Sequence, residues 1–121
     1  MALFESGEMY LETILILSKQ KKDVRAMDIA EHMNFSKPSV SRALGLLESG
    51  GYITRDSDNL ISFTEAGLEL SEKIYERHMV IKDLLIKIGV SEETADEDAC
   101  KVEHYISDET FEAIKKKAKE L

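Results

Sequence analysis

What most restricts the fold of this chain is the punctuation of residues 26–63. A short run, Ala26 to Met33, carries Ile29, Ala30 and Met33 at helical spacing. Asn34-Phe35-Ser36 then breaks the pattern. Ser36 is a good helix N-cap, and Pro38 suits a first helical turn, where its missing N–H costs little. Val40, Ala43, Leu44 and Leu47 repeat at helical spacing until Gly50-Gly51 stops them. Two β-prone runs follow, Tyr52-Ile53-Thr54 and Leu60-Ile61-Ser62-Phe63, around the polar turn Arg55-Asp56-Ser57-Asp58-Asn59. Helix, turn, helix and hairpin in that order predict a winged helix-turn-helix.

The flanking segments read as helices too. Glu8 to Lys19 carries the apolar stripe Met9, Leu11, Ile14, Leu15, Ile16 and Leu17, and Lys19-Gln20-Lys21-Lys22-Asp23 ends it in a polar loop. Thr64 caps a long helix to about Ile88, where Gly89 stops it. Ser91 opens a helix running to Ile106, and Ser107 caps a last one. The fold expected is mainly α: a winged helix-turn-helix over residues 1–70, then a helical domain over residues 71–121. The boundary falls inside the long helix. Leu84, Leu85, Ile88, Val102, Ile106, Phe111 and Ile114 are more apolar groups than three helices readily bury alone, which predicts a two-fold dimer built on the second half.

With 121 residues the chain has room for one domain or two very small ones. The single cysteine, Cys100, excludes an internal disulfide. Leu11 to Leu17 is too short to span a bilayer and no signal peptide is visible, so a cytoplasmic protein without membrane attachment is expected. The net charge of −8 opposes nucleic-acid binding on its face. It is unevenly spread. Residues 19–42 hold six basic side chains against three acidic ones, a local charge of about +3, whereas residues 64–109 hold thirteen acidic against five basic, about −8. Phosphate contacts respond to local potential, so a basic reader joined to an acidic half is compatible with DNA.

The second helix of the motif would enter the major groove by its N-terminal portion. It offers Ser36, Lys37, Pro38, Ser39, Ser41 and Arg42, and Arg25 lies nearby. Short hydroxyls allow close approach and read bases permissively, while Lys37, Arg42 and Arg25 supply phosphate partners. Arg55 in the wing is a weaker candidate. The plainer reading of these residues is a polar solvent-facing helix.

Chemistry of another kind is concentrated in Cys100, Glu103 and His104. On a helix, offsets of zero, three and four share one face, and thiolate, carboxylate and imidazole together bind divalent transition metals. Met9, Glu12, His78 and Asp96 could add to the shell. Taken singly, each has a bland alternative: Cys100 as a small buried apolar group, Met9 as core packing, Glu12 and Asp96 as solvated carboxylates, His78 as a surface histidine.

Taken together, these fragments resemble the diphtheria toxin repressor family of metal-dependent regulators, with its iron and manganese branches. The resemblance rests on Glu8-Met9-Tyr10-Leu11-Glu12, Asp28-Ile29-Ala30-Glu31, Ser36-Lys37-Pro38-Ser39-Val40-Ser41, Leu60-Ile61-Ser62-Phe63-Thr64-Glu65-Ala66-Gly67, Arg77-His78 and Glu97-Asp98-Ala99-Cys100-Lys101-Val102-Glu103-His104-Tyr105-Ile106-Ser107-Asp108. It implies a primary metal site of Met9, Cys100, Glu103 and His104, as in the iron branch, and an ancillary site including His78. In the manganese branch Glu12 and His78 would serve a second ion. Two positions depart from the pattern: Lys82 stands where an ancillary carboxylate is expected, and Asp96 stands where a histidine is frequent. The SH3-like domain of longer members is absent from this sequence.

The resemblance implies a homodimeric repressor that binds a palindromic DNA operator when loaded with a divalent metal, and no small-molecule substrate. Iron(II) is the expected ion, because Cys100 and Met9 are softer than the oxygen donors manganese(II) prefers. Manganese(II) is the alternative, and cobalt(II), nickel(II) or zinc(II) would substitute in vitro. Rival readings are a metal-independent winged-helix regulator and a metalloenzyme; the dedicated DNA reader and the lack of a spare catalytic base oppose the enzyme.

Overall fold

The computed structural model describes residues 5–121. Its elements in order are α1 (Glu5–Gln20), α2 (Ala26–Met33), α3 (Lys37–Ser49), β1 (Ile53–Arg55), β2 (Ile61–Phe63), α4 (Glu65–Lys87), α5 (Glu92–Val102) and α6 (Asp108–Glu120). The protein is mainly helical, with a helix-turn-helix and a two-stranded wing followed by a helical domain. Its contacts divide it into two compact units, Met1–Glu72 and Lys73–Leu121.

The first unit is organised by its caps. Asp28 reaches back to the N–H of Arg25 at 2.8 Å to start α2. The helix ends at Asn34, which adopts a left-handed conformation (φ 57°), and Phe35 N–H bonds back to the carbonyl of Ala30 at 3.2 Å. Two residues later Ser36 accepts from the N–H of Ser39 to open α3, with Pro38 in its first turn. A left-handed stop followed at once by a new cap produces the sharp turn between α2 and α3. Leu11 and Ile14 of α1, Ile29 of α2, Val40, Leu44 and Leu47 of α3 and Ile53 of β1 are almost fully buried and form the core.

The strands pair antiparallel, with Ile53 opposite Phe63 and Arg55 opposite Ile61. Arg55, expected in the turn, is therefore the last residue of β1. The turn is held by Asp56 Oδ1, which accepts from the N–H groups of Asp58 and Leu60 at 2.8 and 3.0 Å. Ile61 N–H also bonds to the carbonyl of Val24, tying the wing to the loop before α2. Thr64 caps α4 by accepting from Gly67 N–H at 3.0 Å while donating to the carbonyl of Gly51 at 2.6 Å. Gly67 has to be glycine. A Cβ there would lie 1.8 Å from the carbonyl oxygen of Tyr52, so only a hydrogen lets the wing sit against the start of α4.

In the second unit α4 runs to Lys87 and ends at Gly89, whose φ of 111° only glycine adopts without strain. Ser91 and Ser107 cap α5 and α6 by accepting from Thr94 and Thr110 N–H. Ile74 and Ile81 of α4, Ala95 and Ala99 of α5, and Phe111 and Ala118 of α6 are buried. Alanines at the contact positions of α5 admit close helix approach. Phe111, counted among the surplus apolar groups, instead lies inside this unit beneath the Arg77 guanidinium, 5.2 Å from its ring centre. Ile88 and Val102 do face outward, and they are joined by the exposed Met79 and Ile86.

Candidate metal centre and nucleic-acid interface

The helix carrying Cys100 stops four residues earlier than its apolar pattern suggests, at Val102 rather than Ile106. Arg77 of α4 supplies the reason. Its Nη1 donates to the carbonyls of Glu103 at 3.3 Å and Ile106 at 2.9 Å, and its Nη2 pairs with Asp108. Carbonyls claimed by a guanidinium no longer need helical partners, and Ser107 takes the extended conformation that caps α6. Glu103 nevertheless keeps helical dihedrals (φ −57°, ψ −25°), and its N–H bonds to the carbonyl of Ala99 at 3.0 Å. Cys100, Glu103 and His104 therefore stay together. One ligand atom from each lies within 4.8 Å of the others.

Glu103 is the centre of this cluster and is 1% exposed. Its Oε1 lies 3.3 Å from His104 Nε2, makes no hydrogen bond among the described residues, and is cut off from water. A carboxylate oxygen in that state carries a desolvation penalty that a cation would offset. The thiol, imidazole and carboxylate grouped here offer sulfur, nitrogen and oxygen donors that fit a divalent transition metal. Cys100 is half-buried beside them.

The other Glu103 oxygen, Oε2, meets His78 Nδ1 at 3.1 Å, and His78 Nε2 meets Asp96 Oδ1 at 2.8 Å. His78 is no ordinary surface histidine: its side chain is 13% exposed and spans two carboxylates. The bond from His78, with the Lys82 ammonium 3.4 Å away, holds the Asp96 carboxyl below its ordinary range. Asp96 thus faces His78 and Lys82, with its own side chain half exposed.

Met9 and Glu12 belong to the first unit, three positions apart on α1. Met9 is half-buried, and Glu12 is 6% exposed, which removes the solvated-carboxylate reading for Glu12.

On the nucleic-acid side, α3 presents Lys37, Pro38, Ser41 and Arg42 to solvent, with Ser36 exposed at its cap. Ser39 is less free, since the Ser36 hydroxyl donates to its oxygen at 2.9 Å. Lys37 and Ser41, one turn apart, line a cleft with Met27, while Arg42 lines a separate open groove beside Tyr10 and Phe35. Arg25 is exposed and its Nε reaches the carbonyl of Asp58 in the wing turn at 3.4 Å. Arg55 is occupied by Glu48 at 2.9 Å.

Arg77 stands next to His78 in the sequence, and that position alone gives it no task. The available signal was an arginine on the inward face of a helix, where an unpaired cation would be costly.

Residues 2–59 match the N-terminal DNA binding domain of iron dependent repressors, and residues 64–121 match the metal binding and dimerisation domain of the same proteins. The chain belongs to the iron-dependent repressor family. These are transcriptional regulators, not enzymes, and their second domain binds divalent metal and dimerises. Among similar proteins, an HTH-type transcriptional regulator of Methanocaldococcus jannaschii is 34% identical, with 92% of this chain and 90% of that protein covered. The transcriptional regulator MntR of Salmonella typhimurium is 34% identical over 87% of this chain and 67% of its own length. The solved manganese regulator SloR superposes with a TM-score of 0.83 at 27% identity, covering 93% of this chain and 53% of that one. The chain thus spans about half the length of SloR and nearly all of the Methanocaldococcus protein.

Proposed function

We propose that this iron-dependent repressor family member is an iron(II)-responsive repressor acting as a homodimer on a palindromic operator. Cys100, Glu103 and His104 would hold the ion, with Met9 and Glu12 of the first unit as further ligands. The observation that carries this reading is the buried Glu103 Oε1 beside His104 and Cys100. Lys37, Ser41 and Arg42 on α3 would meet the major groove and its phosphates, with Ser36, Pro38 and Ser39 at the helix start and Arg25 at the wing. Coupling follows if the DNA-competent arrangement of the chain binds the ion more tightly than its other arrangements do. The positive charge of the ion also offsets part of the acidic balance of the second half.

The preference for iron rests on softness. A thiolate and a thioether suit iron(II) better than manganese(II), which favours oxygen donors. The second reading is manganese control, favoured by the names of MntR and SloR. Operator fragments selected from a random duplex library by the metal-loaded protein would be titrated anaerobically with each ion. Iron(II) should activate at lower concentration than manganese(II), and Met9→Asp combined with Cys100→Glu should reverse the order. Equal activation, or a manganese preference in the unmodified protein, would show that ligand softness is not the discriminator and would overturn the iron assignment.

A further inference from the structure

Four polar side chains meet between α4 and α5. His78 and Lys82 stand one turn apart on α4, and Glu92 and Asp96 one turn apart on α5. Lys82 Nζ lies 3.4 Å from Asp96 Oδ1 and 3.9 Å from Glu92 Oε1, while His78 Nε2 meets the same Asp96 oxygen at 2.8 Å. Apart from Lys82, this corner holds an imidazole nitrogen and two carboxylates, donors that together bind divalent cations. The Lys82 side chain is 22% exposed, so its charge is incompletely screened by solvent. An ammonium is a compact point charge, and here it takes the place a cation would occupy between those carboxylates. A dication entering the corner would have to displace it or stand beside it.

We propose that Lys82 is a built-in cation that fills a second metal site, so that each protomer takes one divalent ion instead of two. The count of one rests on the Cys100 centre proposed above; the blocking by Lys82 does not. The tethered charge also keeps Asp96 on His78, and His78 on the Glu103 oxygen that faces away from His104. A fixed ammonium therefore does the local work of a second ion at any metal concentration.

Cobalt(II) is the probe, because its sulfur-to-metal charge-transfer band marks an ion on Cys100, whereas an ion held by His78 and carboxylates adds none. Bound cobalt per protomer would be counted for the unmodified protein, Lys82→Glu, Lys82→Gln and Lys82→Glu with Asp96→Asn, each shown folded by circular dichroism. Lys82→Glu should bind one ion more than the unmodified protein, with no added charge-transfer intensity. The double variant should lose the additional ion. Lys82→Gln, which removes the charge and adds only a neutral amide oxygen, should tighten the weak binding of a second ion on the order of tenfold over the unmodified protein. No additional ion in Lys82→Glu overturns the proposal, as does an additional ion that survives Asp96→Asn. If the unmodified protein binds no cobalt while Lys82→Glu gains one ion and Lys82→Gln binds that ion more tightly than the unmodified protein, the blocking role stands and the Cys100 centre falls.

Discussion

The guanidinium of Arg77 holds the backbone carbonyl of Glu103 at 3.3 Å, across twenty-six positions of sequence. This bond and its companion to Ile106 anchor the turn that carries Glu103 and His104 onto α4, independently of any side-chain contact those residues make. Arg77 is therefore a positioning residue for the proposed metal centre.

Arg77→Ala should destabilise the second unit by about 2–3 kcal/mol, since it leaves buried carbonyls without their charged donor. It should also weaken metal binding while Cys100, Glu103 and His104 are all present. Arg77→Lys, with one charged head in place of a fork, should recover only part of either loss. Thermal unfolding and cobalt titration read both effects. Unchanged cobalt affinity in a folded Arg77→Ala protein would remove the positioning role.

Much of the first unit was legible because its signals are local. Ser36, Pro38 and Gly50 act within a turn of their own positions, as does Thr64 in capping α4, so α2, α3 and the wing follow from short stretches of chain. The end of α5 was not legible in the same way. It depends on Arg77, a residue on another helix, and no periodicity within residues 92–106 reports it. The candidate ligands divide along the same line. Cys100, Glu103 and His104 come together through helical spacing, which sequence displays. The span of His78 between Asp96 and Glu103, and the seat of Lys82 beside Asp96, arise from packing between helices. There sequence offered only residue types.

The start of α2 should carry a measurable pH dependence. The hydrogen bond from Lys21 at 2.7 Å, followed by that from Arg25 N–H, holds the Asp28 carboxyl below its ordinary range. A depressed folded-state value contributes stability that is present above the unfolded value, near 3.9, and is lost as pH falls through the lower folded value. Asp28→Asn should therefore destabilise the protein at neutral pH by up to about 1 kcal/mol, given its partial exposure. The gap to the unmodified protein should narrow below about pH 4. A gap that stays constant down to pH 2 would show that Asp28 contributes no charge-dependent stability.

The exposed cations of α3 should reveal themselves in salt dependence. Lys37→Ala and Arg42→Ala should each weaken DNA binding and reduce the slope of log affinity against log salt by about one unit per lost phosphate contact. Arg55→Ala should change the slope less, because its guanidinium is already paired with Glu48. Unchanged slopes for both Lys37 and Arg42 would put the DNA-contacting surface elsewhere.

The most direct test of metal-gated DNA binding is operator affinity measured anaerobically, with and without iron(II), for the unmodified protein and for Glu103→Ala. Glu103 brings one oxygen to His104 and the other to His78, so its loss empties the centre of its buried charge. The unmodified protein should bind its operator at least about tenfold more tightly with iron(II) than without it, within the usual range of coupling between two sites. Glu103→Ala should remain folded and bind at the metal-free level whether or not iron(II) is added. Equal affinity of the unmodified protein with and without metal, or a full iron response in Glu103→Ala, would contradict the account.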